Sequence, residues 1–170
     1  FVENVVALVW LLRSRQKSFE AFRKLLQKIR YRHGRLKGYS SRLIYFSAGI
    51  YDNQRKGIVR DITKEIGGRP LRKSMAFMTT HPDLYPSLKN ATDLQRMKSV
   101  EKRIRRRTLF FIPKKAVRRM EDLMCNGDLI AITTNMEGLD VQHVGLAVRV
   151  KNRIHLLHAS STEARVILSK

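Results

Sequence analysis

Apolar residues recur at helical spacing at the start of the chain. One set falls on a single face of a helix over residues 1–12, and a second set does so over residues 19–29. Ser18 precedes the second set and belongs to the residue types that favour helix N-caps. The pattern therefore predicts two consecutive amphipathic helices, which the glycines at Gly34 and Gly38 bring to an end.

The middle of the chain combines short apolar runs with one long amphipathic pattern. Residues 40–53 are rich in aromatic side chains and fit either a helix or a strand, whereas Met75–Thr79 predicts a short strand. The apolar stripe of a predicted long helix consists of Leu94, Met97, Val100 and Ile104. A strand over residues 110–112 and a short helix over residues 114–124 complete this region.

After Gly127 the apolar positions alternate with a period of two, which is typical of strands. One predicted strand carries His143, and the next ends its apolar run Ile154–Leu157 at His158. Helices first and strands last predict an α+β fold with a C-terminal antiparallel sheet, instead of alternating strand and helix units. The length favours one domain over residues 1–170.

His143 and His158 are the candidate catalytic residues. Two consecutive strands can present both imidazoles side by side on one face of a sheet. A general base and a second group that orients it are what activate a cysteine or serine nucleophile. A structural role is the alternative, since a lone strand histidine is more often structural than catalytic.

The net charge of +21 is unevenly distributed along the chain. Lysine and arginine crowd residues 13–37, 96–107 and 114–119, but neither occurs between Arg119 and Arg149. The basic helices predict contact with an anionic polymer, and solvated helix faces of a basic protein are an equal alternative. Aromatic residues do not interleave with the arginine runs, so no specific nucleic-acid partner is predicted.

Cysteine and histidine usage excludes several other classes of protein. A single cysteine, Cys125, excludes a disulfide framework, and the five histidines lack the spacing of a zinc site. We therefore expect no metal and no cofactor. No apolar run reaches the length of a transmembrane segment. The chain begins at Phe1 instead of a methionine, so we expect its natural N-terminus to be missing.

Several short motifs, taken in order, resemble a known family. Gly127-Asp128-Leu129, His143-Val144-Gly145 and His158-Ala159 resemble the NlpC-type cysteine hydrolases of bacterial cell walls, a branch of the papain-like fold. The chain is more similar, over essentially its whole length, to their N-acetylmuramoyl-L-alanine amidase-like members. The motifs of that closer resemblance are Ile29-Arg-Tyr-Arg-His-Gly34, Tyr45-Phe46, Asp52-Asn53, Asp61-Ile-Thr63, Phe77-Met-Thr-Thr-His-Pro-Asp-Leu-Tyr85, Gly138-Leu-Asp140 and Leu157-His-Ala-Ser-Ser161.

The resemblance implies a cysteine amidase that cleaves the bond between N-acetylmuramic acid and L-alanine in peptidoglycan, in the periplasm or at the cell surface. His143 would correspond to the base and His158 to the group that orients it. Phe1-Val2-Glu3 matches the end of a family stretch that runs from Asp-Cys into Thr-Phe-Val-Glu. The catalytic cysteine is therefore expected a few residues before Phe1, so that this chain is truncated just after its nucleophile and inactive by itself.

Cys125 is a poor alternative nucleophile, because it follows a short predicted helix and would face the negative end of the helix dipole. Arg42, Tyr45, Asp140 and Ser160 are candidate substrate-binding residues. For Asp140, which precedes the His143 strand, a turn-capping role is equally open. Packing explains Tyr45, and a surface charge explains Arg42, almost as well.

Some positions depart from the family pattern. Family members usually carry histidine where this chain has Ile44, and an acidic residue and tryptophan where it has Ala48 and Gly49. Two hypotheses follow. The chain is either a fragment of a cell-wall amidase or a catalytically dead, basic binding protein for anionic wall polymer or nucleic acid. The amidase hypothesis predicts that His143 and His158 lie within hydrogen-bond reach or one water apart.

Overall fold

Helices dominate the first part of the chain and strands the last part. The computed structural model describes residues 1–169. Within these residues the α-helices are α1 (Val2–Arg13), α2 (Phe19–Arg30), α3 (Phe46–Arg55), α4 (Phe77–Thr80), α5 (Ala91–Arg105) and α6 (Lys114–Met120). The strands are β1 (Arg69–Leu71), β2 (Leu109–Phe111), β3 (Leu129–Thr133), β4 (Val141–Val150), β5 (Arg153–Ser160) and β6 (Arg165–Ser169). None of the helices in residues 1–169 has the length and apolar character needed to cross a membrane.

The strands form two antiparallel sheets. β1 pairs with β2, and the C-terminal strands form a four-stranded sheet in the order β3-β4-β5-β6. Each C-terminal strand pairs with the one before it, so the sheet is a meander whose connections are short. This architecture confirms the predicted α+β fold with helices first and an antiparallel sheet last.

The predicted helices α2 and α5 are confirmed, and each follows a residue whose side chain caps it. Ser18 precedes α2, and its hydroxyl accepts a hydrogen bond from the Ala21 N–H at 3.2 Å. α5 begins after Asn90, whose side-chain oxygen accepts from the N–H groups of Thr92 and Asp93. These bonds satisfy N–H groups that the first turn of a helix leaves without an intrahelical partner.

The strand predicted at Met75–Thr79 is wrong, because most of this segment is the short helix α4. Met75 precedes α4 and Met78 lies within it, and both are 1% exposed and belong to the same core cluster. Gly138 accepts hydrogen bonds from the N–H groups of Ala76 and Phe77 at 3.1 Å each, which holds the start of α4 in place. Only the isolated bridge between Met75 and Gly138 has strand character.

The main hydrophobic cluster lies between α3, α4 and α5. Its buried members are Leu43, Tyr45, Ala48, Met75, Met78, Leu88, Met97, Val100 and Ile104. Glu101 is 1% exposed within this cluster and accepts hydrogen bonds from the Tyr45 hydroxyl at 2.7 Å, from the Thr79 N–H at 3.1 Å and from the Thr79 hydroxyl. A buried carboxylate is tolerable here because several donors compensate for its lost hydration.

Candidate functional site

The strand register brings His143 and His158 together. β4 pairs with β5 so that Leu146 lies opposite Leu157, which sets His143 diagonally across from His158 on one face of the sheet. The Nε2 atom of His143 lies 2.8 Å from the Nδ1 atom of His158. The ring centroids are 4.7 Å apart and the ring planes meet at 89°. Both histidines are half-buried.

Ser169 extends this pair into a chain of three side chains. The Nε2 atom of His158 lies 2.8 Å from the Ser169 hydroxyl oxygen. β6 pairs with β5 so that Ser169 lies opposite Leu156, which makes it a diagonal neighbour of His158. Ser169 was not among the residues predicted from the sequence. The alternation of residues along the strand that starts at Arg165 is the signal that places Ser169 on one face of the sheet.

The hydrogen bonds link the protonation states of the three residues. A neutral imidazole carries one hydrogen on its two nitrogens. For the Nδ1 atom of His143 to accept a proton, this hydrogen must sit on Nε2, which then donates a hydrogen bond to the Nδ1 atom of His158. The Nε2–H of His158 then donates to the Ser169 hydroxyl. When His143 becomes an imidazolium, the same Nε2–H still donates to His158, so the second imidazole can stabilise the positive charge without taking a proton.

Gly145 makes the close approach of β4 and β5 possible. A Cβ atom at this position would lie 2.7 Å from the Leu157 carbonyl oxygen and 2.7 Å from the Leu156 Cδ1 atom. The absence of a side chain lets the Leu156 side chain lie across β4 beside the two histidines. The glycine in the His143-Val144-Gly145 motif is therefore a packing requirement of the site.

Asp140 anchors the start of β4 to the first turn of α3. Its side chain is buried, with 2% of the residue exposed. One carboxylate oxygen accepts from the Ser47 N–H at 2.7 Å, and the other accepts from the Val141 N–H at 2.9 Å. Asp140 therefore caps α3, a helix that is distant in sequence, whereas the alternative interpretation placed its capping role in the local turn after Gly138. A carboxylate at a helix N-terminus is also favoured by the helix dipole.

The other predicted substrate-binding residues make their hydrogen bonds to groups other than the two histidines. Tyr45 is 2% exposed, and its hydroxyl donates to Glu101 and accepts from the Met78 N–H at 3.0 Å. Burial raises the pKa of Tyr45 far above its usual value. This placement favours the packing role over contact with substrate.

Arg42 and Ser160 make polar contacts of their own. An Arg42 Nη2 atom lies 3.4 Å from a Glu3 carboxylate oxygen, which also accepts from the Arg30 Nε atom at 2.7 Å. The Ser160 hydroxyl accepts from the Glu163 N–H at 3.1 Å in the turn between β5 and β6. Arg42 is thus tied to the first turn of α1, whereas Ser160 caps a hairpin turn.

Cys125 is exposed but lies away from His143. The Gly127 N–H beside it donates to the Ala147 carbonyl at 2.9 Å, so this turn adjoins the middle of β4. His143 is farther along the same strand by roughly 13 Å, at a rise of about 3.3 Å per residue. In the described part of the chain, residues 1–169, no group of three or more His, Cys, Asp or Glu side chains is arranged to hold a metal ion.

The family comparison covers the entire chain. Residues 1–170 match the family model described as AmiA-like, N-acetylmuramoyl-L-alanine amidase-like. A comparison with curated proteins gives no match.

Solved structures resemble the chain over nearly its full length. A crystal structure named as an N-acetylmuramoyl-L-alanine amidase from Bacteroides uniformis is 36% identical with a TM-score of 0.87, and the match covers 99% of this chain and 73% of that one. A Bacteroides fragilis structure named as a candidate xylanase is 38% identical with a TM-score of 0.87, and the match covers 99% and 75%.

A more distant structure, protein LPG0564 from Legionella pneumophila, has the same fold. It is 20% identical with a TM-score of 0.67, and the match covers 98% of this chain and 65% of that one. The family match covers the whole chain, and the two Bacteroides structures share 36% and 38% identity with it. The chain therefore belongs to the N-acetylmuramoyl-L-alanine amidase-like family.

Proposed function

We propose that the chain carries the general-base half of a cysteine amidase that cleaves the N-acetylmuramoyl-L-alanine bond of peptidoglycan fragments. The observation that supports this most directly is the hydrogen-bonded chain of His143, His158 and Ser169. The family, and the amidase name of the Bacteroides uniformis structure, support a cell-wall hydrolase. A substrate in the cell wall implies action in the periplasm or at the cell surface.

In the proposed reaction His143 accepts and then gives back one proton during acylation of the cysteine, and does so again during hydrolysis of the thioester. Its Nδ1 takes the proton of a cysteine thiol, and the thiolate attacks the carbonyl carbon of the lactyl amide. The tetrahedral intermediate collapses as the carbon–nitrogen bond breaks, and His143 gives the proton to the departing amine of L-alanine. Water, deprotonated by His143, then hydrolyses the thioester, which releases the lactyl carboxylate and restores the thiol. His158 orients His143 throughout.

The nucleophile is the part of the proposal that rests on the resemblance, which expects a cysteine shortly before Phe1. One feature of the structure supports that expectation. The helix α1, which begins next to Phe1, contacts β4, the strand that carries His143. A thiol at the start of a helix is stabilised as thiolate by the helix dipole.

The xylanase name of the Bacteroides fragilis structure is the competing enzyme class. Glycoside hydrolysis usually requires two carboxyl groups on either side of the scissile bond. Asp140, the carboxylate nearest in sequence to His143, is buried and accepts bonds from two backbone N–H groups. Two adjacent imidazoles suit acyl transfer better than glycoside hydrolysis.

Hydrolysis of purified muropeptides tests the proposal. The protein would be prepared with its upstream gene sequence, and release of the L-alanine amine would be followed. We expect His143→Gln to lower the rate by about 100-fold to 10,000-fold. His155→Gln is the matched control, because His155 lies on β5 three residues from His158 and points to the other face of the sheet. The control is expected to keep at least about half of the wild-type rate.

Equal rates for His143→Gln and the wild type would refute the base assignment. No amine release from folded, upstream-extended wild-type protein would instead favour the alternative, a basic protein that binds anionic wall polymer without cleaving it. In that case the isoleucine at Ile44 and the small residues Ala48 and Gly49, where the family pattern differs, are the first positions to restore.

A further inference from the structure

A strongly basic cleft lies in the helical part of the molecule. Its volume is about 970 Å³, and it runs between the segment that follows α2 and the outer face of α5. The ionisable side chains that line it are Arg32, His33, Arg35, Lys37, Arg96 and Arg103. None of the residues that line it belongs to β4 or β5, the strands that carry His143 and His158.

Arg32 is the most unusual of these side chains. Its Nε and Nη2 atoms are buried, and neither has a hydrogen-bond partner within residues 1–169. Burial lowers the pKa of Arg32, and the neighbouring charge of Arg103 lowers it further. A buried guanidinium with free donors is costly unless an anion compensates its charge.

Two acidic groups beside the cleft each face a cation. Asp52 lies 2.7 Å from the Lys56 Nζ and also accepts from the His33 N–H. The Asp93 Oδ1 atom lies 3.7 Å from the Arg96 Nη1 atom, beyond hydrogen-bond distance, and has no hydrogen-bond partner within residues 1–169.

The remaining cations of the cleft lack such partners. In the described chain no ion pair within 4.0 Å involves Arg32, Arg35, Lys37 or Arg103. Asp52 attracts Arg32 at longer range, but the cleft still concentrates positive charge that its direct ion pairs leave unbalanced.

We infer that this cleft binds a chain of phosphate groups. Guanidinium groups recognise phosphate oxygens through paired N–H donors, and three or more arginines can engage successive phosphates. A single carboxylate would neutralise only one of the converging charges. Such a site would attach the protein to a phosphate-bearing polymer, an interaction separate from the amidase reaction and independent of its nucleophile.

Binding of inorganic polyphosphate to the chain provides the test, measured calorimetrically at about 50 mM and about 200 mM salt. The cleft variant is Arg35→Gln/Arg103→Gln, because both side chains are exposed and their loss should leave the fold intact. The control is Arg118→Gln/Arg119→Gln, which removes the same charge from the exposed face of α6. Arg32→Gln, with its fold checked by circular dichroism, forms a second cleft variant.

We expect the cleft variant to bind polyphosphate at least about tenfold more weakly and to show a smaller salt dependence, whereas the control should change by less than about twofold. Poly-L-glutamate of matched charge should bind more weakly than polyphosphate. Equal weakening in cleft and control variants would overturn the inference, since it would show only diffuse attraction. Equal affinity for the two polymers, or no binding, would overturn the assignment to phosphate.

Discussion

The Nε2 atom of His143 and the Nδ1 atom of His158 are 2.8 Å apart, and the two rings are nearly perpendicular. Perpendicular rings let an N–H in the plane of one imidazole point at a nitrogen lone pair of the other. The contact depends on the diagonal pairing of two adjacent strands. It couples the tautomer of each ring to that of its neighbour, and through His158 to Ser169.

The first prediction concerns these tautomers. When both rings are neutral, we expect His143 and His158 each to carry the proton on Nε2, because this tautomer lets His143 donate to His158 and His158 donate to Ser169. Nitrogen-detected NMR of the chain itself measures this. Ser169→Ala removes the acceptor for His158, so a mixture of His158 tautomers should appear. A proton on the Nδ1 atom of His143 in the wild type would contradict the proposed base role.

The second prediction concerns the buried cap of α3. Asp140→Ala removes the acceptor of the Ser47 and Val141 N–H groups, so the free energy of unfolding should fall by about 1–3 kcal/mol. Asp140→Asn keeps one acceptor oxygen and should cost less. Urea denaturation measures both. The control Asp83→Ala, at an exposed position, should change stability by less than about 0.5 kcal/mol. A loss no larger than that of the control would disprove the capping role.

The third prediction contrasts two glycines. Gly145→Ala should destabilise the protein by about 1–3 kcal/mol, because the new methyl group would meet the Leu157 carbonyl at 2.7 Å. Gly49→Ala should be neutral or stabilising by up to about 1 kcal/mol, because Gly49 lies within α3 and its nearest neighbour, the Leu43 Cβ, is 4.0 Å away. Thermal denaturation of both variants gives the comparison. Similar effects would show that β4 and β5 can separate to admit a side chain.

The fourth prediction concerns alkaline pH. Burial raises the pKa of Tyr45 above that of a tyrosine in the unfolded chain, which ionises near about pH 10. Between these two pKa values the unfolded state releases a proton that the folded state retains, so stability falls as the pH rises above about 10. Tyr45→Phe should make this fall shallower when unfolding is followed from pH 8 upward. It should also cost about 1–3 kcal/mol at neutral pH, because Glu101 loses a donor. An unchanged alkaline slope would contradict the prediction.

Sequence patterns predicted most of the fold and part of the candidate site. The helices α1, α2 and α5 and the strands β3, β4 and β5 follow from local periodicity, since each buries one face against the rest of the molecule. The α4 segment was misassigned because a run of apolar residues does not distinguish a strand from a buried helical turn. Its conformation depends on hydrogen bonds to Gly138, which lies far away in sequence.

What the sequence determined by itself is the order of helices and strands, the motif resemblance, and the placement of His143 and His158 on neighbouring strands. Only the tertiary structure decided which other residues join them. Strand register brought Ser169 to His158, and long-range hydrogen bonds assigned Asp140 to α3 and Tyr45 to the core. Local preferences act over a few neighbouring residues, whereas register, buried polar pairing and the convergence of arginines at Arg32 arise only when distant segments pack together.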